Sequence, residues 1–146
     1  MGVSLLPELN EVATISNVKH FFEKEFPILQ NMAHISFVDV KSPVISGMPV
    51  ANGMDNGSET KSTLHIYAKN VLHKIITACG GLDWRHRKIL ELRCFKELTW
   101  LEIYEVTGYG KTRAQELLNE SFLQFAWAFA DVDDLRVFKS EHLTTN

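Results

Sequence analysis

A chain of 146 residues with 45% hydrophobic and 23% charged side chains has the make-up of one ordinary globular domain, which excludes wholesale disorder. Its apolar runs, such as Phe125-Ala126-Trp127-Ala128-Phe129-Ala130, fall far short of the roughly 20 residues that cross a bilayer, and the N-terminal MGVSLLPELNEV lacks the basic region and apolar core of a signal peptide. A cytoplasmic protein with no membrane partner is expected. The formal net charge of −3 runs against the basic surplus usual in nucleic-acid-binding proteins, although net charge describes the overall field and not one surface patch.

From Thr14 to about Ala33, the residues Ile15, Val18, Phe21, Phe22, Phe26 and Leu29 recur at three- and four-residue steps, the pattern of one helical face. Thr14 or Ser16 is placed to cap this helix, and Pro27, which cannot donate to the helix ladder, predicts a kink or break near Glu25 or Phe26. Residues 34–49 combine β-branched side chains with two prolines and no helical period, so they are expected to be extended or looped, with a short strand over 35–40. The VANGMDNGSE stretch that follows is rich in Gly, Asn and small polar residues, and reads as a flexible linker. The expected organisation is an N-terminal helix and extended segment over 1–50, a linker over 51–60, a C-terminal domain over 61–130 and a polar tail over 131–146.

An amphipathic helix then runs from Thr60 or Ser62 to Cys79, with Leu64, Ala68, Val71, Leu72, Ile75 and Cys79 in one stripe and Gly80-Gly81 as its stop. His65 and His73 lack the four-residue spacing of a helical metal pair, and no metal or other cofactor is expected. Cys79 and Cys94 lack paired zinc spacing and read as buried thiols in a reducing compartment. Asp83 caps the next helix, which reaches about Phe95 with Trp84, Ile89, Leu90 and Leu92 as apolar surface; Arg85, Arg87, Lys88, Arg93 and Lys96 make it basic.

Thr99-Trp100-Leu101-Glu102 has the form of a capping box, which fixes a helix start at Thr99. The final helix begins at Gly110 or Lys111 and carries Ala114, Leu117, Leu118, Ser121, Phe122, Phe125, Ala126 and Phe129 at regular helical spacing. Its later turns, with Leu123 and Trp127 on a second face, are expected to pack on the N-terminal helix in preference to a second subunit. From Asp131 the chain turns acidic and then polar, and is expected to fray.

The last two helices meet at Thr107-Gly108-Tyr109-Gly110, and two helices joined by a short glycine-containing turn are the sequence form of a helix-turn-helix. Gly108 stands where a positive φ is required, and Ile103, Ala114 and Leu118 are placed to fill the small core between the helices. In such a motif the first helix braces on the DNA backbone while the second enters the major groove. The residues directed away from the core, Lys111, Thr112, Arg113, Gln115, Glu116 and Asn119, are therefore the candidates for DNA contact. Lys111 and Arg113 suit guanine or phosphate, and Gln115 and Asn119 suit adenine. Glu116, like Glu120, repels phosphate unless aimed at cytosine or at a neighbouring cation. Arg87 and Lys88 add charge on the preceding helix, where the cations cluster.

Two rivals are weak. Gly110-Lys111-Thr112 ends like a P-loop, but Glu105 stands where that loop needs its earlier glycine, and a helix precedes it in place of a strand. No nucleophile–base pair stands out, so no enzyme is expected. A helical bundle that binds only protein stays open.

Residues 82–123 resemble the C-terminal domain of bacterial sigma factors. The shared features are Arg87-Lys88-Ile89-Leu90-Glu91-Leu92-Arg93-Cys94-Phe95, then Leu98-Thr99-Trp100-Leu101-Glu102-Ile103, then Gly108-Tyr109. A narrower pattern, Asn17-Val18-Lys19 with Phe21-Phe22 and the run Asp39-Val40-Lys41-Ser42-Pro43-Val44-Ile45-Ser46-Gly47-Met48-Pro49, resembles the ArpU family of phage-type transcriptional regulators. The resemblance implies an all-α protein with an N-terminal helical arm and a sigma-like helix-turn-helix domain. It further implies a sequence-specific regulator of phage or prophage late genes in Gram-positive bacteria, or of host autolysin export, acting on double-stranded promoter DNA. Host RNA polymerase is a candidate partner, and a homodimer stays open. The alternatives are a sigma mimic that binds polymerase without reading DNA, and the DNA-recognition subunit of a packaging enzyme. Tyr104 stands where such motifs carry a small Ala, so either the two helices open slightly or the ring turns outward.

Overall fold

The computed structural model describes residues 6–34 and 59–139, with the side chains of the second stretch from residue 63 onward. The strand expected over 35–40, the 41–49 run and all but the last two residues of the expected linker lie outside the described residues. Within them the chain is all-α. Its helices are α1 (Glu11–His20), α2 (Phe26–Ala33), α3 (Glu59–Gly80), α4 (Trp84–Leu90), α5 (Trp100–Thr107) and α6 (Lys111–Ala128). Two π-helical turns complete the set: Phe21–Glu25 joins α1 to α2, and Glu91–Phe95 extends α4.

The N-terminal helix starts earlier than the apolar spacing indicates, because its cap is Asn10 and not Thr14 or Ser16. The Asn10 side-chain oxygen accepts from the Ala13 amide at 3.1 Å. Pro27 neither stops nor sharply breaks the chain. With no amide hydrogen at position 27 the ladder loses one partner, and the helix accommodates this by widening into the Phe21–Glu25 turn, where the Phe26 amide donates to the Phe21 carbonyl. The wider turn brings Phe21 and Phe26 onto one side, and both are buried with Phe22.

Those rings build the centre of the core. Phe22 lies 4.9 Å from Phe125, 6.3 Å from Phe122 and 6.2 Å from Phe95 between ring centroids, and Phe21 lies 5.4 Å from Phe129. The later turns of α6 therefore pack on the N-terminal helix of the same chain, as their spacing indicates. On the other side α2 rests against α3, whose Ala68, Leu72, Ile75 and Cys79 are buried. Leu64 departs from the expected stripe and is 49% exposed. The reach of α2 ends there: the His65 ring, stacked on His34, already meets the Met32 carbonyl near the C-terminal end of α2. Trp84, expected as apolar packing surface, is also exposed, because His86, Ile89 and Leu90 form the inward side of α4.

The tail does not fray through Lys139. Leu9 and Phe138 form an antiparallel bridge, the Asn10 amide donates to the Val137 carbonyl at 2.7 Å, and the Val137 amide donates to the hydroxyl of buried Thr14 at 2.9 Å. Leu135 is buried, and its carbonyl accepts from the Asn17 amide group at 3.1 Å. The Arg136 guanidinium lies over the Trp127 ring at 4.9 Å, so the tail also covers the second face of α6.

Truncating Phe22 to alanine removes the ring through which the N-terminal π turn meets Phe95 of the second π turn and Phe122 and Phe125 of α6. Phe22→Ala is expected to cost about 3–5 kcal/mol in urea denaturation, the range for a buried Phe→Ala cavity. A loss below about 0.5 kcal/mol, the scale of an ordinary surface substitution, would contradict the central place given to this cluster.

Candidate nucleic-acid interface

The turn between α5 and α6 is built by local hydrogen bonds. Thr99 and Glu102 form the reciprocal capping box at the start of α5, with the Thr99 amide donating to the Glu102 carboxylate at 2.8 Å and the Glu102 amide to the Thr99 hydroxyl at 3.2 Å. At the other end Gly108 takes φ 80°, ψ 0°, the left-handed conformation that costs a residue with a Cβ about 1–2 kcal/mol, and its amide donates to the Tyr104 carbonyl at 2.8 Å. The Thr107 hydroxyl donates to Ile103 and accepts from the Tyr109 amide, which closes the turn. Gly110 caps α6 with no side-chain bond, and the first ladder bond is Ala114 to the Gly110 carbonyl. The first three amides of α6 thus have no intrahelical partner.

Beneath the turn Ile103, Ala114, Leu117 and Leu118 are buried, the expected set with Leu117 added. Tyr104 resolves its crowding by turning along the flank of α5, where its ring stacks on Trp100 at 6.0 Å. Trp100 is covered in turn by the Arg93 guanidinium at 4.8 Å, which also donates to the Leu98 carbonyl at 2.9 Å. Arg93 therefore acts as a fastener of the α4–α5 connection.

The sequence candidates on α6 fall on two flanks. Lys111, Thr112, Arg113, Glu116 and Asn119 are exposed and Gln115 is half-buried. Gln115 and Asn119 line a groove of about 560 Å³ together with Ile15 and Lys19 of α1 and Arg93 and Cys94 of the π turn. Arg113 lies on the opposite flank, 3.5 Å from Glu116 and 3.9 Å from Glu120. On α4 Lys88 is exposed, whereas the Arg87 guanidinium donates to the Leu82 and Gly80 carbonyls at 3.3 and 3.5 Å and steadies the α3–α4 connection. The exposed residues of α5 are Leu101, Glu102, Glu105 and Val106, none of them cationic. The exposed cations on the elements around the turn are Lys111 and Arg113 on α6, Arg85 and Lys88 on α4, Lys96 just after the second π turn and Lys19 of α1 beside the groove.

One residue of this region is not singled out by the sequence reading. His86 is buried between two carboxylates: Nδ1 lies 2.9 Å from both Asp83 oxygens and Nε2 lies 2.8 Å from Glu120 Oε1. The Asp83 carboxylate also accepts from the Arg85 and His86 amides at 3.1 Å as the cap of α4. The His86 amide bond, reinforced by the His86 ring and opposed by desolvation, holds the Asp83 carboxyl below its ordinary value of 3.8. Ser121, buried on α6, bridges to the His86 carbonyl at 3.0 Å and fixes the two helices together. The Asp83-x-x-His86 spacing was the available signal, because residues three apart share a helical face.

The two cysteines are free thiols, Cys79 buried as expected and Cys94 half-buried at the edge of the groove. Burial pushes the Cys94 thiol up to about 12, against a smaller opposing effect of the Arg93 charge. Since the thiolate is the nucleophile, iodoacetamide at about pH 8 is expected to leave Cys94 unmodified in the folded protein and to alkylate it in urea. Rapid native alkylation, read by mass spectrometry of the Cys94 peptide, would contradict this packing.

Among the described residues no helix is long and apolar enough to cross a membrane. No protein-family model and no solved structure matches the chain. It is 29% identical over 126 residues to a protein of Streptococcus phage O1205, covering 84% of this chain and 91% of that relative. It is 28% identical over 129 residues to a protein of Enterococcus hirae, covering 87% and 93%. Both relatives carry the name ArpU with the provisional description of autolysin regulatory protein, and similarity of this extent supports the ArpU family for this sequence.

Proposed function

We propose that this chain is a transcriptional regulator of the ArpU family that binds double-stranded promoter DNA through a helix-turn-helix formed by α5 and α6, acting in the bacterial cytoplasm and without catalytic activity. One observation carries the reading: α6 buries Ala114, Leu117 and Leu118 while Lys111, Thr112 and Arg113 of its first turn stand exposed directly after the tight Gly108 turn. A helix held from behind and open at its N-terminal turn suits a major groove about 12 Å wide. The unpartnered amides of that turn, at the positive end of the helix dipole, suit a backbone phosphate.

In this reading Arg113 and Lys111 approach guanine or phosphate, Gln115 and Asn119 approach adenine from the α1 side, and Lys88 neutralises a flanking phosphate. The acidic exposed side of α5 and the net charge of −3 limit the number of phosphate contacts. A second partner, host RNA polymerase, then supplies the rest of the binding free energy at the promoter. One relative comes from a phage and the names of both speak of autolysin regulation, so the setting we propose is control of phage or prophage late genes or of host autolysin export.

Selection of bound fragments from a genomic duplex library gives the operator and the reference affinity. Arg113→Ala is then expected to cost about 1–3 kcal/mol and to relax preference at one base pair. An equal loss on every sequence would make Arg113 a phosphate contact, and unchanged affinity would remove it from the interface.

A further inference from the structure

His86 belongs to a line of charged groups that runs from the cap of α4 to the first turn of α6. Both of its ring nitrogens face carboxylate oxygens, which only accept, so both contacts are hydrogen bonds when each nitrogen carries a hydrogen. The Asp83 carboxylate is fixed in place by two backbone amides of α4. Glu120 stands between His86 and Arg113: its Oε1 is 2.8 Å from His86 Nε2, while its Oε2 is 3.9 Å from the Arg113 guanidinium. The first contact is short and made to a side chain only 8% exposed; the second is long and joins two side chains that are 49% and 45% exposed, where water screens the charges. The remaining Arg113 contact, to Glu116, is also long at 3.5 Å. Gln124 is the other polar neighbour of the ring, its amide nitrogen 3.4 Å from Nδ1.

We propose that His86 is a positioning residue for the DNA-reading helix: by holding the Glu120 carboxylate on the α4 side, it keeps that charge from closing on Arg113 and leaves the guanidinium available to a phosphate or a guanine edge. The proposal rests on the DNA-binding reading above. Without the imidazole, Glu120 is expected to close further on Arg113, two helical turns upstream on the same flank, which its Oε2 already approaches at 3.9 Å.

The test is a double-substitution cycle with His86→Phe, Glu120→Gln and the pair together, read on the duplex fragments that the unsubstituted protein selects. His86→Phe, which keeps a ring but has no donor for Glu120, is expected to weaken binding about 3- to 10-fold, the scale of coupling within one hydrogen-bond network. Glu120→Gln is expected to restore affinity in the His86→Phe protein and to change it far less on its own. Strictly additive effects would overturn the proposal, since a purely structural His86 is not rescued by removing the Glu120 charge. A second measurement needs no DNA: in Glu120→Gln alone, nuclear magnetic resonance should show the His86 ring signals moving while the Arg113 Nε–Hε signal stays in place. The reverse pattern would overturn the proposal even if His86→Phe fails to fold. Should the unsubstituted protein bind no duplex, the DNA-binding reading falls, while the resonance measurement still decides whether His86 holds Glu120.

Discussion

Phe22 sits where three segments distant in sequence converge: its ring is 4.9 Å from Phe125, 6.3 Å from Phe122 and 6.2 Å from Phe95. Burying one such side chain contributes about 1.5–3 kcal/mol, and favourable aromatic pairs add about 0.5–1.5 kcal/mol each. The cluster grips α6 along its second half, where Phe122, Phe125 and Ala126 are buried, and at Phe129 just past its end. The first turn, beyond the reach of the N-terminal helix, is left to solvent with Lys111, Thr112 and Arg113. One helix thus has a structural half and a presenting half, and the position of Phe22, set by the π-helical turn before Pro27, determines where one passes into the other.

Several of the charges around this helix are engaged in local structure. Arg93 is engaged with Trp100 and Leu98, Arg87 with the α3–α4 connection, and Arg136 with Asp134 and Trp127. On the acidic side, Glu102 completes the α5 cap, Asp83 completes the α4 cap and Glu120 faces His86. Lys19, Arg85, Lys88, Lys96 and Lys111 remain exposed, and with a net charge of −3 the protein as a whole offers no general attraction to nucleic acid.

Much of the local structure was legible in the sequence because its causes are local. The Asp83 cap, the Thr99–Glu102 box and the positive φ of Gly108 each depend on residues within about one helical turn. The apolar spacing on α6 identified its buried side, and the N-terminal helix as the element that covers it. What the sequence could not show depends on residues far apart in the chain. The tail is fastened through Thr14 and Val137, separated by 123 positions, and His86 finds its second carboxylate 34 positions away at Glu120. Asn10 escaped notice as a cap because the apolar repeat it serves begins one turn later, at Ile15. Pro27 marked the place of an irregularity, but whether the helix would break or widen depended on the core that Phe21, Phe22 and Phe26 had to reach.

In the function proposed, the first turn of α6 touches the phosphate backbone of a duplex directly, and the salt dependence of affinity measures that contact. For two to four phosphates neutralised, the logarithm of affinity should fall linearly with the logarithm of salt concentration, with a slope of about −2 to −4. Affinity that does not change between about 50 and 200 mM salt would mean that no phosphate is neutralised, and would contradict the assignment of α6 to DNA.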